Sequence, residues 1–289
     1  MVDLRARKQV KFLGKFLVVC IGILTVGLFF RFMKIEPEEH TACSAPGLTC
    51  QATYDLERTR PIPIVDTAAI LQGALAEARE QVRKKFFDDL EGRRLWGIDI
   101  SKYQSNINWS LLVRRNKPDF VFVKATEGVT IRDVMYKSHK KNLEKHDILH
   151  GAYHFWSFRS SGAKQARAFI RHANLNEGNL VPVVDVEYPR GRMPRKAKVV
   201  RELKKFCAII EAHYGVKPII YTQPRLYRDY LSSSFSHYPK WFASYSRSPG
   251  YAWDIWQHTE RGRVYGMPGR VDKNVMKSNM ASLEKLVMF

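Results

Sequence analysis

The chain has 289 residues, 45% of them hydrophobic, which excludes a disordered protein and leaves room for one large domain plus an appendage. Its formal charge of +20 points to anionic partners such as nucleic acid, lipid headgroups or an acidic wall polymer. Beyond residues 1–34, which hold a net +6, the basic residues are spread through amphipathic helices with acids among them, so a nucleic-acid partner is not expected.

Phe16 to Phe30 (FLVVCIGILTVGLFF) is uncharged, and Phe12 to Met33 is long enough to span a membrane if Lys15 and Arg31 snorkel to the interfaces. Arg5, Arg7, Lys8 and Lys11 precede it. The positive-inside rule then predicts a single-pass anchor with a cytoplasmic N-terminus and a periplasmic or extracellular remainder. A cleavable signal peptide is the competing reading, although no small-x-small site follows the run and Cys20 lacks the small residue expected before a lipidated cysteine.

Cys43 and Cys50 bracket SAPGLT, a Pro/Gly turn that permits a disulfide loop in an oxidising compartment, two free thiols being the alternative. Cys207 falls in a helical pattern and reads as a small core residue. Residues 36–65 are rich in Pro, Thr and Glu without periodicity, as in a linker, and Thr67 to Gly92 has helix-forming composition. The predicted organisation is 1–34 tail and anchor, 35–94 linker and helix, and 95–289 a folded domain.

From Leu95 strand and helix alternate. Strands are predicted at Leu95 to Ser101, Phe120 to Ala125 and Leu149 to Trp156, with helices at Trp109 to Asn116, Asp133 to His146 and Ser161 to Asn174. Val181 to Glu187 (VPVVDVE) reads as a buried strand, with Pro182 tolerated only near its start. A helix from Met193 to Tyr214 follows, then strand Lys217 to Thr222, a short helix Pro224 to Leu231, and strands Lys240 to Tyr245 and Trp253 to His258. Such alternation predicts an α/β fold with a parallel sheet, doubly wound or closed.

The acids choose between the two. Side chains alternate along a strand, so Asp185 and Glu187 face the same side with Cα atoms roughly 6.5 Å apart. Two like charges there oppose joint ionisation, which keeps a proton on one of them, as an acid catalyst needs. Asp99, Glu127 and His154 also stand at or after strand ends, where a (β/α) barrel gathers its active site, and ISKYQSN after the first strand is not a Gly-rich phosphate turn. The expectation is a TIM-like barrel.

Gly97-Ile98-Asp99-Ile100-Ser101-Lys102-Tyr103-Gln104, Lys124-Ala125-Thr126-Glu127-Gly128, Gly151-Ala152-Tyr153-His154-Phe155, Asp185-Val186-Glu187, and Trp256-Gln257 with Val271-Asp272-Lys273-Asn274 together resemble the family 25 glycoside hydrolases. These are lysozymes that cut peptidoglycan, and the match runs in order from about Leu95 to the C-terminus. The resemblance implies an irregular, flattened barrel that hydrolyses the β-1,4 bond between N-acetylmuramic acid and N-acetylglucosamine with retention. It places the acid/base at Glu187, its partner carboxylate at Asp185, further cleft acids at Asp99 and Asp272, and sugar contacts at Tyr153 and Tyr221. Peptidoglycan strands are the implied partner, with no cofactor or metal, acting as a monomer.

The chemistry stands beside the resemblance. Acids two residues apart on one strand lie on one side of a cleft, whereas direct displacement needs a carboxylate on each side of the anomeric carbon. A substrate 2-acetamido oxygen can act as nucleophile instead, oriented by Asp185 while Glu187 protonates the leaving oxygen; the reverse assignment of the two acids, and Asp272 or Asp99 as a protein nucleophile, are the alternatives. Glu127 either holds a backbone amide or touches the cleft, His154 reads as a structural histidine, and most tryptophans read as core. A membrane-tethered wall-binding protein that has lost catalysis is the other function class. Two stretches depart from the family: Tyr188 to Lys196 (YPRGRMPRK) is unusually basic, fitting an anionic substrate such as one bearing peptide carboxylates, and His258 stands where a tyrosine is usual.

Overall fold

The computed structural model describes residues 67–289; the predicted membrane segment and the Cys43 and Cys50 loop lie outside the described residues. Among the described residues no helix is long and apolar enough to cross a membrane. The chain divides into two compact units, Met1–Val82 and Arg83–Phe289. Helix α1 (Thr67–Asp88) exposes Ile70, Leu71 and Leu75 in its first part. Within the second unit Phe87 is buried with its ring 5.4 Å from that of Phe289, and Arg83 pairs with Glu284 at 2.8 Å. The last turn of α1 is therefore part of the folded domain.

The strands are β1 (Leu95–Ile100), β2 (Phe120–Glu127), β3 (Ile131–Arg132), β4 (Leu149–Phe155), β5 (Val183–Asp185), β6 (Ile219–Thr222), β7 (Lys240–Ala243), β8 (Ile255–Gly262) and β9 (Val271–Met276). Between them run α2 (Trp109–Asn116), α3 (Tyr136–Lys145), α4 (Gly162–Ala173) and α5 (Lys196–Tyr214), with short helical turns over 224–235 and α6 (Met280–Leu286) at the end. Pairing runs β1-β2-β4-β5-β6-β7-β8-β9 and back to β1, so eight strands close a barrel. The short β3 pairs with Thr126 and Glu127, on the part of β2 that extends past its pairing with β1. Phe120, Val121, Phe122, Val123 and Val183, Val184 are all buried, the mark of strands covered on both faces.

The sheet is not wholly parallel. β9 runs antiparallel to both β8 and β1. The connection 263–270 is shorter than the dozen or so residues that a parallel crossover needs, so the chain returns as a hairpin. This reversal matters for the site, because it puts the first residues of β9 at the end of the barrel where the parallel strands finish. Elsewhere the predicted elements form with shifted ends. α5 begins at Lys196 and not Met193, because Pro194 keeps the preceding residues out of the helix, and β5 stops at Asp185, leaving Glu187 just beyond the strand.

Helices α4 and α5 back the β4–β5 side of the barrel, where Phe206 stacks on His154 with ring centroids 5.2 Å apart. They cross so closely at Gly162 that a Cβ there would collide with the carbonyl oxygen of Glu202. Gly162→Ala is therefore expected to lower the melting temperature by about 3–10 °C through overpacking, which a thermal melt reads directly. An unchanged melt would show that the crossing relaxes freely.

Candidate active site

Asp99, near the end of β1, lies opposite Asp272, the second residue of β9, in the antiparallel ladder. On the other side of the barrel Asp185 ends β5, with Phe155 and Tyr221 as its cross-strand neighbours. A cleft of about 300 Å³ opens between them and is lined by Asp99, Asp185, Glu187 and Asp272 with Tyr153 and Tyr221. Of the site residues predicted from sequence, these six come together. Glu127 does not line the cleft; its Oε2 holds the Nζ of Lys124 at 2.6 Å, and Lys124 is the residue that faces in.

A chain of hydrogen bonds fixes Asp99. Gln257 Nε2 and Asn274 Nδ2 both donate to its Oδ2, at 3.0 and 2.8 Å. The amides are set in turn: Tyr221 and Tyr245 hydroxyls donate to Gln257 Oε1 at 2.9 and 2.8 Å, and Trp241 Nε1 donates to Asn274 Oδ1 at 2.9 Å. Every member but the exposed Tyr245 is buried, so the network orients Asp99 at little entropic cost when a ligand enters. Gln257, Asn274, Lys124 and Tyr245 were not assigned roles from the sequence, although the first three stand inside the motifs quoted above. Asp185 contrasts with Asp99: its Oδ1 is buried and has no hydrogen-bond partner among the described residues.

Crowded acids in a partly dry cleft keep protons that free carboxyls would lose. Burial first, and then the charges of Glu187 and Asp99, push Asp185 well above the usual carboxylate range. Glu187 is raised by burial and by Asp99, and is drawn back by the Tyr221 hydroxyl and by Lys124. Asp272 is pushed up to about 8 by burial and by Asp99, while Asp99 itself is raised by burial against the pull of Asn274 and Gln257.

The Asp272 shift makes stability depend on pH. The unfolded chain releases this proton near pH 4, but the folded domain holds it to about pH 8. The folded state thus binds more protons between those limits, and stability falls as pH rises through them. Asp272→Asn should raise the melting temperature by roughly 2–5 °C at pH 7 and change it little at pH 4, as thermal melts at the two pH values would show. An equal change at both would count against the shift.

His154 is set aside by its own contacts. Gln165 Oε1 already accepts from Ser157 N, so His154 Nε2 donates to it at 2.9 Å, while Nδ1 accepts from Thr126 Oγ1 at 2.7 Å. Burial lowers its pKa to about 4, and the ring serves as a neutral brace. Trp156 is also buried, whereas Trp241 reaches the cleft floor. Among the described residues no group of three His, Cys, Asp or Glu is arranged to hold a metal ion.

A family profile described as Glycosyl hydrolases family 25 matches residues 98–267, more than half of the chain. The chain belongs to glycosyl hydrolase family 25. It is accordingly a glycoside hydrolase, and residues 98–267 of this family 25 enzyme run from within β1 through β8 and exclude Asp272 and Asn274. The enzyme is 34% identical over 199 residues to the Escherichia coli K12 protein called Uncharacterized protein YegX, covering 66% of this chain and 72% of that one. It is 30% identical over 204 residues to Lysozyme M1 of Streptomyces globisporus, covering 65% and 69%. Among solved structures, a family 25 glycosyl hydrolase from Bacillus anthracis superposes with a TM-score of 0.62 at 31% identity, over 67% of this chain and 94% of the other.

Proposed function

We propose that this family 25 hydrolase is a muramidase that cuts the β-1,4 bond between N-acetylmuramic acid and N-acetylglucosamine in peptidoglycan. The observation that carries the reading is the pair of carboxyls at the end of β5: Asp185 and Glu187 line one cleft, both hold protons beyond the usual range, and one Asp185 oxygen lacks a partner. The names of relatives such as Lysozyme M1 support the same substrate class.

In the working form the coupled pair keeps one proton, on Glu187, with Asp185 ionised, and Glu187 gives that proton to the leaving glycosidic oxygen. The substrate's acetamido oxygen attacks the anomeric carbon, and Asp185 Oδ1 accepts the acetamido N–H and stabilises the positive charge that develops on the ring so formed. Water then opens that ring with Glu187 as base, giving net retention. Two features favour this over attack by a protein carboxylate. Asp99 Oδ2 is occupied by two amide donors, and Asp272 is protonated at neutral pH and so a weak nucleophile. Tyr153 and Tyr221 flank the acids and are the proposed hydroxyl contacts to the sugar.

The test is muropeptide analysis after digestion of sacculi with the full chain: a muramidase leaves reducing N-acetylmuramic acid ends, whereas reducing N-acetylglucosamine ends would overturn the assignment. The placement of this domain outside the cytoplasm rests on Phe12 to Met33 and the basic residues before it. A topology reporter fused after Phe289 should read as exported, and a cytoplasmic signal would refute that placement.

A further inference from the structure

The loop that leaves the site, residues 188–196, carries Arg190, Arg192, Arg195 and Lys196 with no acid among them. All four side chains are exposed, and none has a hydrogen-bond or ion-pair partner among the described residues. Both ends of the loop lie near one turn of the 224–235 segment. The charge of Asp229 acts on Tyr188 at one end, and that of Lys196, at the other, acts on Asp229. Asp229 is itself held by Arg228 at 2.8 Å, with Arg225 at 3.9 Å. Lys196, Arg225 and Arg228 therefore gather around a single carboxylate, and Arg190, Arg192 and Arg195 lie on the loop whose two ends approach it.

Such a cluster contributes nothing to stability by itself, because like charges at the surface repel. Its position says what it can serve. Arg190 is three residues from Glu187, so their Cα atoms are at most about 11 Å apart. Yet no residue of the loop lines the cleft, so the arginines address a part of the substrate beyond the reacting bond. Guanidinium groups bind carboxylates in bidentate fashion, and in peptidoglycan the muramic acid at that bond bears a peptide with free carboxylates.

We propose that the 188–196 loop, with Arg225 and Arg228, is a carboxylate-reading rim that engages the peptide on the glycan being cut. The proposal rests on the muramidase reading above. It makes the enzyme selective for peptide-bearing strands, a property that the cleft acids alone do not confer.

The experiment compares kcat/KM on three soluble glycan substrates: peptide-bearing with free carboxylates, the same material with those carboxylates amidated, and glycan stripped of peptide. The parent enzyme should prefer the first over the second by about tenfold, as expected for a few exposed charge pairs acting together. The triple variant Arg190→Gln, Arg192→Gln, Arg195→Gln should lose that preference and keep the parent rate on amidated and stripped glycan, which also shows that it folds. Equal cleavage of the first two substrates by the parent, or an equal loss on all three in the variant, overturns the rim. So does inhibition of the parent but not the variant by polyphosphate with no preference between the first two, since the loop would then serve a phosphate polymer. Failure of the parent to release reducing N-acetylmuramic acid from any of the three would instead overturn the muramidase reading itself.

Discussion

Glu187→Gln should fold as the parent does and lose glycan cleavage by about a thousandfold or more. Glutamine keeps the size of the half-buried side chain and can still hydrogen-bond, but it has no proton to give to a leaving oxygen. Because burial and Asp99 raise the Glu187 pKa, the native side chain carries its proton to higher pH than an ordinary glutamate, so the substitution removes little charge and should not lower the melting temperature. Turbidity clearing of sacculi reads the activity and a thermal melt reads the fold. An active, well-folded variant would remove Glu187 from the mechanism and turn attention to Asp272, which also holds a proton at neutral pH.

Much of the domain was legible from local pattern. Phe120 to Val123 of β2 and Val183-Val184 of β5 are short apolar runs buried on both faces, and that burial is what writes Val and Phe into consecutive positions. The period-two rule brought Asp185 and Glu187 into one space although Glu187 lies just past the last paired residue of β5. Asp99 was visible for a similar reason, as a charge near the end of a strand with no other cause to be there.

What stayed hidden depends on contacts distant in sequence. Gln257 and Asn274 are neutral amides in strands, and nothing local marks them as the residues that hold Asp99, which lies 158 and 175 positions away. β9 itself was missed, since no strand was expected at Val271–Met276, and only the short 263–270 connection betrays that it returns as a hairpin. Glu127 shows the converse. Its position in Lys124-Ala125-Thr126-Glu127-Gly128 suggested the cleft, but the bulge in β2 pairing between Lys124 and Thr126 accompanies an arrangement in which Lys124 faces inward and Glu127 holds it.

Asp185→Asn should reduce cleavage by about a hundredfold or more and should also move the pH dependence of what remains. The rate falls because an amide offers the acetamido group a hydrogen bond but no negative charge against the charge that forms beside it. The pH dependence moves because the two carboxyls ionise as a coupled pair: Asp185 is shifted by Glu187 more than by any other charge, so the last proton leaves the pair at raised pH. With that partner neutral, Glu187 should release its proton at lower pH, and the alkaline limb of the activity profile should shift in the same direction. A variant that was merely distorted would lose rate at every pH without moving the limb. The profile of kcat/KM against pH, measured for parent and variant on one soluble glycan, therefore separates a working pair of carboxyls from two acids that only share a strand. An unmoved limb with a large loss of rate would leave Asp185 as a structural residue and end the assisted mechanism.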